Sequence, residues 1–134
     1  MRTFLDANFL VAAGFRPAGD YRKALARSQD EFVTSEHLLD EVRRNLQRLS
    51  VSPEPFISIL RRSFLVTSQF DVLPVGLPLE GSGDRQALAE AIGAACELFV
   101  TDDEDFANLF GQRIKGVLVV RSRDYVRSTL HSSG

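Results

Sequence analysis

Short apolar runs alternate along this chain with longer segments of helical periodicity. The runs, which share a high content of Val, Phe and Leu, lie at 3–5, 32–35, 70–75, 97–101 and 116–120. Runs of this kind are typical of strands that are buried on both faces of a sheet. Because strands that alternate with helices favour a parallel sheet covered by helices, the sequence predicts a three-layer α/β/α sandwich with a central parallel sheet of about five strands.

Helical patterns fill much of the sequence between the runs. In residues 35–49 the apolar side chains recur at helical spacing with arginines on the opposite face, and Ser35 provides an N-cap. Residues 84–96 repeat the pattern, and residues 53–65 are predicted to form a further helix whose start is marked by prolines. The stretch 76–83 is rich in Gly, Pro and Ser and is predicted to be a loop.

The size and composition of the chain indicate a single domain over residues 1–134. A formal net charge of -2 gives the whole molecule no general attraction to nucleic acid or to anionic membrane, so a polyanion would be bound locally. The single cysteine, Cys96, excludes an internal disulfide and fits a reducing compartment. Since Asp6 and Asn8 interrupt the apolar start and no apolar span of membrane length is present, we expect a cytoplasmic protein without a membrane partner.

Acidic residues lie where this fold would bring them to one edge of the sheet. Asp6 follows the first apolar run, and Asp103 follows the run at 97–101 within the stretch LFVTDDEDF. Glu41 borders the apolar face of its helix, and Asp84 opens the helix that follows GSG. Ligands of parallel sheets bind at the carboxyl ends of the strands, so we expect these four side chains to share one site.

Each of these acids also has a purely structural explanation. Asp84, Asp102 or Asp105 can cap a helix and interact favourably with its dipole, and Glu41 alone is typical of a solvated helix face. Asp6 is harder to explain in this way, because the sequence suggests no capping role to balance its partial burial. The argument for a site therefore depends on the set and not on any one member.

Carboxylates that converge without a counter-charge raise one another's pKa values and destabilise a fold. A cation among them removes this repulsion, and oxygen ligands suit Mg²⁺ or Mn²⁺. A pair of such ions about 4 Å apart can activate a water molecule and stabilise a leaving oxygen. The acidic set therefore predicts metal-dependent hydrolysis of phosphodiester bonds.

The motifs FLDANFLVAA, TSEHLLDEVRRNL, GDRQALAEAIGAACELFVTDDEDF and GVLVVRSRDYV resemble those of a known family in order and spacing. That family is the PIN-domain family of metal-dependent nucleases, in particular the toxin branch of bacterial toxin–antitoxin pairs, the VapC-like ribonucleases. The resemblance covers nearly the whole chain. It implies that Asp6, Glu41, Asp84 and Asp103 are the catalytic residues and the ligands of Mg²⁺ or Mn²⁺.

The sequence departs from the family pattern in the acidic turn, where Asp102 replaces the small residue often found between the threonine and the aspartate. The ligand within Asp102, Asp103 and Asp105 is therefore left open, although the spacing favours Asp103. Asp105 is a candidate outer ligand or a helix cap. Asn8 and Thr101 are expected to orient the ligands.

The resemblance implies an endoribonuclease with an RNA substrate and a cognate antitoxin protein, and it leaves a homodimer open. Several basic residues at helical or adjacent spacing are candidate RNA contacts, although solvated helix faces have the same pattern. They are Arg43, Arg44 and Arg48, with Arg22, Lys23, Arg61 and Arg62 as further candidates. His37 and His131 are too isolated to indicate a catalytic pair.

Two alternative functions are compatible with the same residues. A PIN-like module can keep the fold and its acids but act only in binding, in RNA processing or protein assembly. A phosphotransferase that forms an aspartyl-phosphate on Asp6 is the weaker alternative, because Asn8 and not a second aspartate stands two residues later.

Overall fold

A six-stranded sheet forms the centre of the molecule in the computed structural model, which describes residues 1–131. Its strands are β1 (Arg2–Leu5), β2 (Glu31–Ser35), β3 (Leu65–Thr67), β4 (Leu98–Thr101), β5 (Arg113–Ile114) and β6 (Val117–Arg121). The spatial order is β3-β2-β1-β4-β6-β5, with β5 antiparallel to β6 and the other neighbours parallel. The predicted α/β fold with a parallel sheet is confirmed, and the short β5 adds an antiparallel edge.

Helices cover the sheet, and most connections are short, apart from the long segment 68–81 that follows β3. They are α1 (Ala7–Phe15), α2 (Asp20–Arg27), α3 (Glu36–Arg48), α4 (Glu54–Ser63), α5 (Ser82–Gly93) and α6 (Ser122–His131), with a 3₁₀ helix at Glu104–Leu109. Helix α1 packs against α2 and α3, and α2 packs against α6, whereas α5 contacts β2 and β4. The chain leaves β1 towards β2 and later returns to β4 on the other side of β1, so the strand order reverses between β1 and β4.

The core is centred on the two neighbouring strands β1 and β4. Phe4 and Phe99 are paired in the β-sheet register, and their rings stack with centroids 5.4 Å apart. Both side chains are fully buried, which explains why these strands read as continuous apolar runs. Cys96 lies just before β4 and is also buried, and this burial raises the pKa of its thiol to about 12.

The third strand is not where the sequence pattern placed it. Residues 70–75 form no strand, and β3 occupies Leu65–Thr67, which overlaps the end of the predicted helix 53–65. Helix α4 ends at Ser63, and the ring of Phe64 stacks on Phe32 of β2 at 5.2 Å, so the next residues continue along β2. The apolar composition of residues 70–75 suggested a buried strand, but the structure does not bury this segment. Its Phe70, for example, is 69% exposed.

No helix within residues 1–131 is both long enough and apolar enough to cross a membrane.

The contact between α1 and α4 gives a prediction about packing. A Cβ atom at Gly14 would lie 2.6 Å from Cδ2 of the buried Phe56 ring, whereas a Cβ atom at Gly83 of α5 would have no heavy atom within 4 Å. Gly14→Ala is expected to lower the free energy of unfolding by roughly 1–2 kcal/mol, because overpacking outweighs the gain in helix propensity. Gly83→Ala, in the first turn of α5, is the matched control and should not lower it.

Urea denaturation of the two variants measures both effects. If Gly14→Ala were as stable as Gly83→Ala, the close approach of α1 to α4 would be wrong.

Candidate metal centre

A cleft of about 330 Å³ opens beside the carboxyl ends of β1 and β4, where the strand order reverses. The four acids predicted from the sequence all line it: Asp6, Glu41, Asp84 and Asp103. Asp6 follows β1, Asp103 follows β4, Glu41 lies in α3 and Asp84 lies in the first turn of α5. The structure thus brings together four residues that are up to 97 positions apart in the sequence.

Asp6 has two structural roles at the start of α1. Its Oδ1 accepts a hydrogen bond from the backbone N–H of Ala7 at 2.9 Å, so Asp6 is the N-cap of the helix. Its Oδ2 accepts a hydrogen bond from the Thr101 hydroxyl at 2.7 Å. The side chain is only 7% exposed. The sequence interpretation that Asp6 had no capping role was wrong, because α1 begins directly after it.

Thr101 connects the ends of the two central strands. While its hydroxyl donates to Asp6, the same oxygen accepts from the backbone N–H of Asp103 at 3.0 Å and from Asn8 Nδ2 at 3.3 Å. The side-chain oxygen of Asn8 in turn accepts from the backbone N–H of Asp102 at 3.3 Å. Asn8 belongs to α1 and does not extend the strand, but it lines the cleft with the acids. These contacts fix the positions of Asp6 and Asp103 relative to one another.

The acids of the turn after β4 point in different directions. Asp103 is the N-cap of the 3₁₀ helix, since its Oδ1 accepts from the backbone N–H of Asp105 at 2.9 Å. Asp102 faces α2, where it accepts a hydrogen bond from the Tyr21 hydroxyl at 2.6 Å. The interpretation that Asp102 and Asp105 cap this helix was therefore wrong. Asp84, Asp103 and Asp105 each offer a carboxylate oxygen, and these oxygens lie within 4.8 Å of one another.

Burial and the proximity of other acids raise the pKa values of two aspartates in the cleft. The pKa of Asp6 is raised to about 6, mainly by burial. Its hydrogen bonds to Thr101 and Ala7 act in the opposite direction, and the charges of Glu41 and Asp103 contribute to the rise. Burial also raises the pKa of Asp84 to about 7, together with a hydrogen bond to Asp105 and the charges of neighbouring aspartates. Within residues 1–131, none of these five acids forms a salt bridge.

This donor set fits a hard divalent cation. Its oxygens are carboxylates, and the set contains no thiolate or imidazole that would favour a softer metal. The carboxyl groups of Asp84 and Asp105 share a hydrogen bond and therefore a proton. A cation in place of that proton would remove the repulsion between the two carboxylates. Mg²⁺ and Mn²⁺ therefore suit the residues that are present.

The sequence analysis missed a partly buried pair near the cleft, formed by His37 and the buried Glu90. His37 Nδ1 lies 3.0 Å from Oε1 of Glu90, whose side chain is 3% exposed, and 3.0 Å from the Ser35 hydroxyl. The hydrogen bond to Glu90 raises the pKa of His37, and the charges of Glu41 and Asp6 act in the same direction. Glu90 lies within the buried stretch 87–92 of α5. Because a buried acid needs a partner, its place among apolar residues was the signal in the sequence that could have revealed this pair.

The arginines proposed as RNA contacts differ in their surroundings. Arg43 binds Asp40 at 2.8 Å and Glu54 at 2.7 Å, so it links α3 to α4 at the surface. Arg44 and Arg48 are exposed on α3 and form no ion pair within the described part of the chain. Their exposure leaves Arg44 and Arg48 available to a ligand, whereas Arg43 is already paired with two carboxylates.

Comparisons with known proteins bear on the fold. The sequence matches no protein-family model and no curated protein. Among solved structures, the fold is similar to a chain in the crystal structure of VapBC2 from Rickettsia felis bound to a DNA fragment from their promoter. The TM-score is 0.66 at 16% sequence identity, and the match covers 90% of this chain and 98% of that chain. The similarity shows that this chain shares the α/β fold of that chain.

The raised pKa values predict how stability depends on pH in the absence of metal. Because the pKa values of Asp6 and Asp84 are higher in the folded protein than their ordinary value of 3.8, the folded state binds protons more tightly than the unfolded chain. In EDTA the free energy of unfolding should therefore rise as the pH falls from about 8 to about 5.5, with about 1 kcal/mol of the rise due to Asp6.

The measurement is urea denaturation in EDTA across this pH range, with Asp6→Asn as the matched variant. The raised pKa of His37 acts in the same direction, so only the difference between the two proteins reports on Asp6. Millimolar Mn²⁺ should stabilise the wild type more at high pH than at low pH, because the ligands must be deprotonated. Identical pH profiles for the two proteins would contradict the assigned environment of Asp6.

Proposed function

We propose that this protein is a metal-dependent endoribonuclease of the PIN-domain type and the toxin component of a toxin–antitoxin pair. The observation that carries the proposal is the convergence of acids at one end of the parallel sheet without a cationic partner within residues 1–131. Such an arrangement is unfavourable for folding alone and favourable for a site that binds a divalent cation. The reaction would be the hydrolysis of RNA phosphodiester bonds.

In this proposal the acids of the cleft hold Mg²⁺ or Mn²⁺. The ligands are Asp6, Glu41, Asp84 and Asp103, with Asp105 as an outer ligand. The bound ion supplies charge neutralisation at the phosphate and lowers the pKa of a water molecule. The chain itself fixes the ligands, because Thr101 and the N–H of Ala7 hold the two oxygens of Asp6 in place.

Asp84 and Asp105 have a second role in the proposed site. Their carboxyl groups approach each other closely, and the pKa of Asp84 is raised to about 7, mainly by burial and then by its hydrogen bond to Asp105. A carboxyl group with such a pKa can hold a proton near neutral pH or release it. We propose that the pair loses this proton when a cation binds, so metal affinity should increase with pH.

The residue two positions after Asp6 argues against the phosphotransferase alternative. Residue 8 is an asparagine, not a second aspartate. Its side chain hydrogen-bonds to the Thr101 hydroxyl and to the backbone N–H of Asp102. A binding module without turnover has the same fold and acids as a nuclease, so a cleavage assay decides between these two functions.

The proposed toxin role rests on two kinds of similarity. The motifs resemble those of the VapC-like toxins, and the fold is similar to a chain of the complex named VapBC2. By analogy, the partner would be an antitoxin protein that blocks the acidic cleft.

The nuclease proposal predicts how substitutions in the cleft affect RNA cleavage. Asp6→Asn and Asp103→Asn keep the side-chain shape and can still cap their helices, but each removes a charge that a cation needs. In Mn²⁺ they should lower the rate of RNA cleavage by more than the roughly 10- to 100-fold that follows changes to residues that only orient ligands. Thr101→Val removes a hydroxyl that only orients Asp6 and Asp103, so it should lower the rate by no more than this roughly 10- to 100-fold. The measurement is cleavage of labelled RNA, beside thermal unfolding of each variant in EDTA.

Glu104→Gln is the matched control in the same turn. Glu104 is exposed and pairs with Arg121 at 3.0 Å, outside the cleft, so the substitution should leave cleavage nearly unchanged. Undiminished cleavage by a folded Asp6→Asn protein would contradict the metal-nuclease proposal. An absence of cleavage by the wild type on every RNA tested would instead favour the binding module.

The toxin proposal has a separate test in cells. Expression of the wild-type protein should slow the growth of a bacterial host, and co-expression of the protein encoded by the adjacent gene should restore growth. Asp6→Asn, expressed to the same level, should have no effect on growth. Equal growth with the wild-type and Asp6→Asn proteins would remove the toxin role and leave the nuclease activity to the cleavage assay.

A further inference from the structure

One side of the acidic cleft is apolar. It is formed by Val11, Ala12 and Phe15 of α1. Phe15 lies four residues after Val11 and three after Ala12, so its side chain is next to both on the helix surface. Phe15 is 40% exposed, although it is a large apolar side chain. The ligands proposed for the metal do not need this surface, since they all come from other positions around the cleft.

An unpaired amide accompanies the apolar face. Asn45 lines the same cleft and lies four residues after Glu41, so both side chains project from one face of α3. Within residues 1–131 the side-chain amide of Asn45 forms no hydrogen bond. It therefore presents a free donor and a free acceptor to whatever enters the cleft.

We propose that Val11, Ala12, Phe15 and Asn45 form a subsite for an unpaired nucleobase of single-stranded RNA. The inference rests on the proposed nuclease function and names its substrate class. The base stacks on the ring of Phe15, and Asn45 hydrogen-bonds to its edge, while a phosphate of the same strand lies at the carboxylates.

The dimensions of the cleft support a nucleotide as the occupant. A helix rises about 1.5 Å per residue, so Phe15 lies about 13 Å from Asp6 along the axis of α1, within reach of a base one or two nucleotides from the bound phosphate. A volume of about 330 Å³ is at the lower end of the range for small-molecule sites, roughly 300–1,000 Å³. A base inside a duplex could not stack on Phe15, because its faces are covered by its neighbours.

The charge beside Phe15 also favours RNA over an apolar peptide. The guanidinium of Arg16 lies 5.8 Å from the centre of the Phe15 ring and forms no ion pair within the described residues. It can contact a backbone phosphate next to a stacked base. A purely apolar peptide side chain would use neither this cation nor the amide of Asn45.

The test is the binding of short single-stranded RNAs that carry 2-aminopurine, whose fluorescence falls when it stacks on an aromatic ring. Binding is measured in Ca²⁺ with the full chain, and cleavage is measured separately in Mn²⁺. Phe15→Ala should weaken binding roughly tenfold and remove the quenching, whereas Phe15→Tyr should retain both. Asn45→Ala should weaken the binding of intact RNA. It should not weaken the binding of an RNA that lacks a base at the position where 2-aminopurine is quenched. Phe70→Ala, at an exposed phenylalanine outside the cleft, is the matched control.

The outcomes separate this inference from the proposed function. Cleavage by the wild type with unchanged binding and quenching in Phe15→Ala would overturn the base subsite and leave the nuclease proposal standing. Quenching by the wild type that is lost in Phe15→Ala would support the subsite even if no RNA were cleaved. Loss of antitoxin binding in Phe15→Ala, with RNA binding unchanged, would identify the apolar face as a protein-docking surface and overturn the inference.

Discussion

The hydroxyl group of Thr101 is the interaction on which the arrangement of the site depends. The last register pair of β1 and β4 is Leu5 with Val100, so Asp6 and Thr101 are the next residues on the two strands. The backbone N–H of Asp6 still donates to the carbonyl of Val100 at 3.0 Å, and the side chains of Asp6 and Thr101 add a hydrogen bond of 2.7 Å. Since the same oxygen accepts from the backbone of Asp103, one buried group determines how two of the acids face each other.

The stability of the molecule comes from a region that does not take part in the proposed chemistry. The pKa of Asp6 is raised although two hydrogen bonds favour its charged form, so the ionised acid is a net cost to the folded state without a cation. The stacked and fully buried rings of Phe4 and Phe99 lie in the same two strands, a few residues earlier. Strong packing at the middle of β1 and β4 thus offsets repulsion at their ends.

The sequence was sufficient to predict a parallel sheet and the convergence of the acids. It was not sufficient to predict the bounds of every strand and helix or the direction of each acidic side chain. Buried parallel strands are apolar on both faces, so most were recognisable. The run at 70–75 had the same composition, and only the stacking of Phe64 on Phe32 explains why the strand is at 65–67. Helix α1 went unrecognised because it is apolar on most sides and lacks a clear periodicity. Which aspartate of the turn faces the cleft depends on backbone angles that a run of four acidic residues does not reveal.

The lone buried thiol of Cys96 makes the protein its own reporter of unfolding. The thiolate is the form that reacts with alkylating reagents, and here packing excludes the reagent while a pKa of about 12 keeps the group protonated. Alkylation can therefore proceed only through molecules that have opened around the start of β4. Its rate under native conditions gives the free energy of that opening without any engineered label. Ligands that stabilise the folded state would be detectable as a slower modification of this one atom.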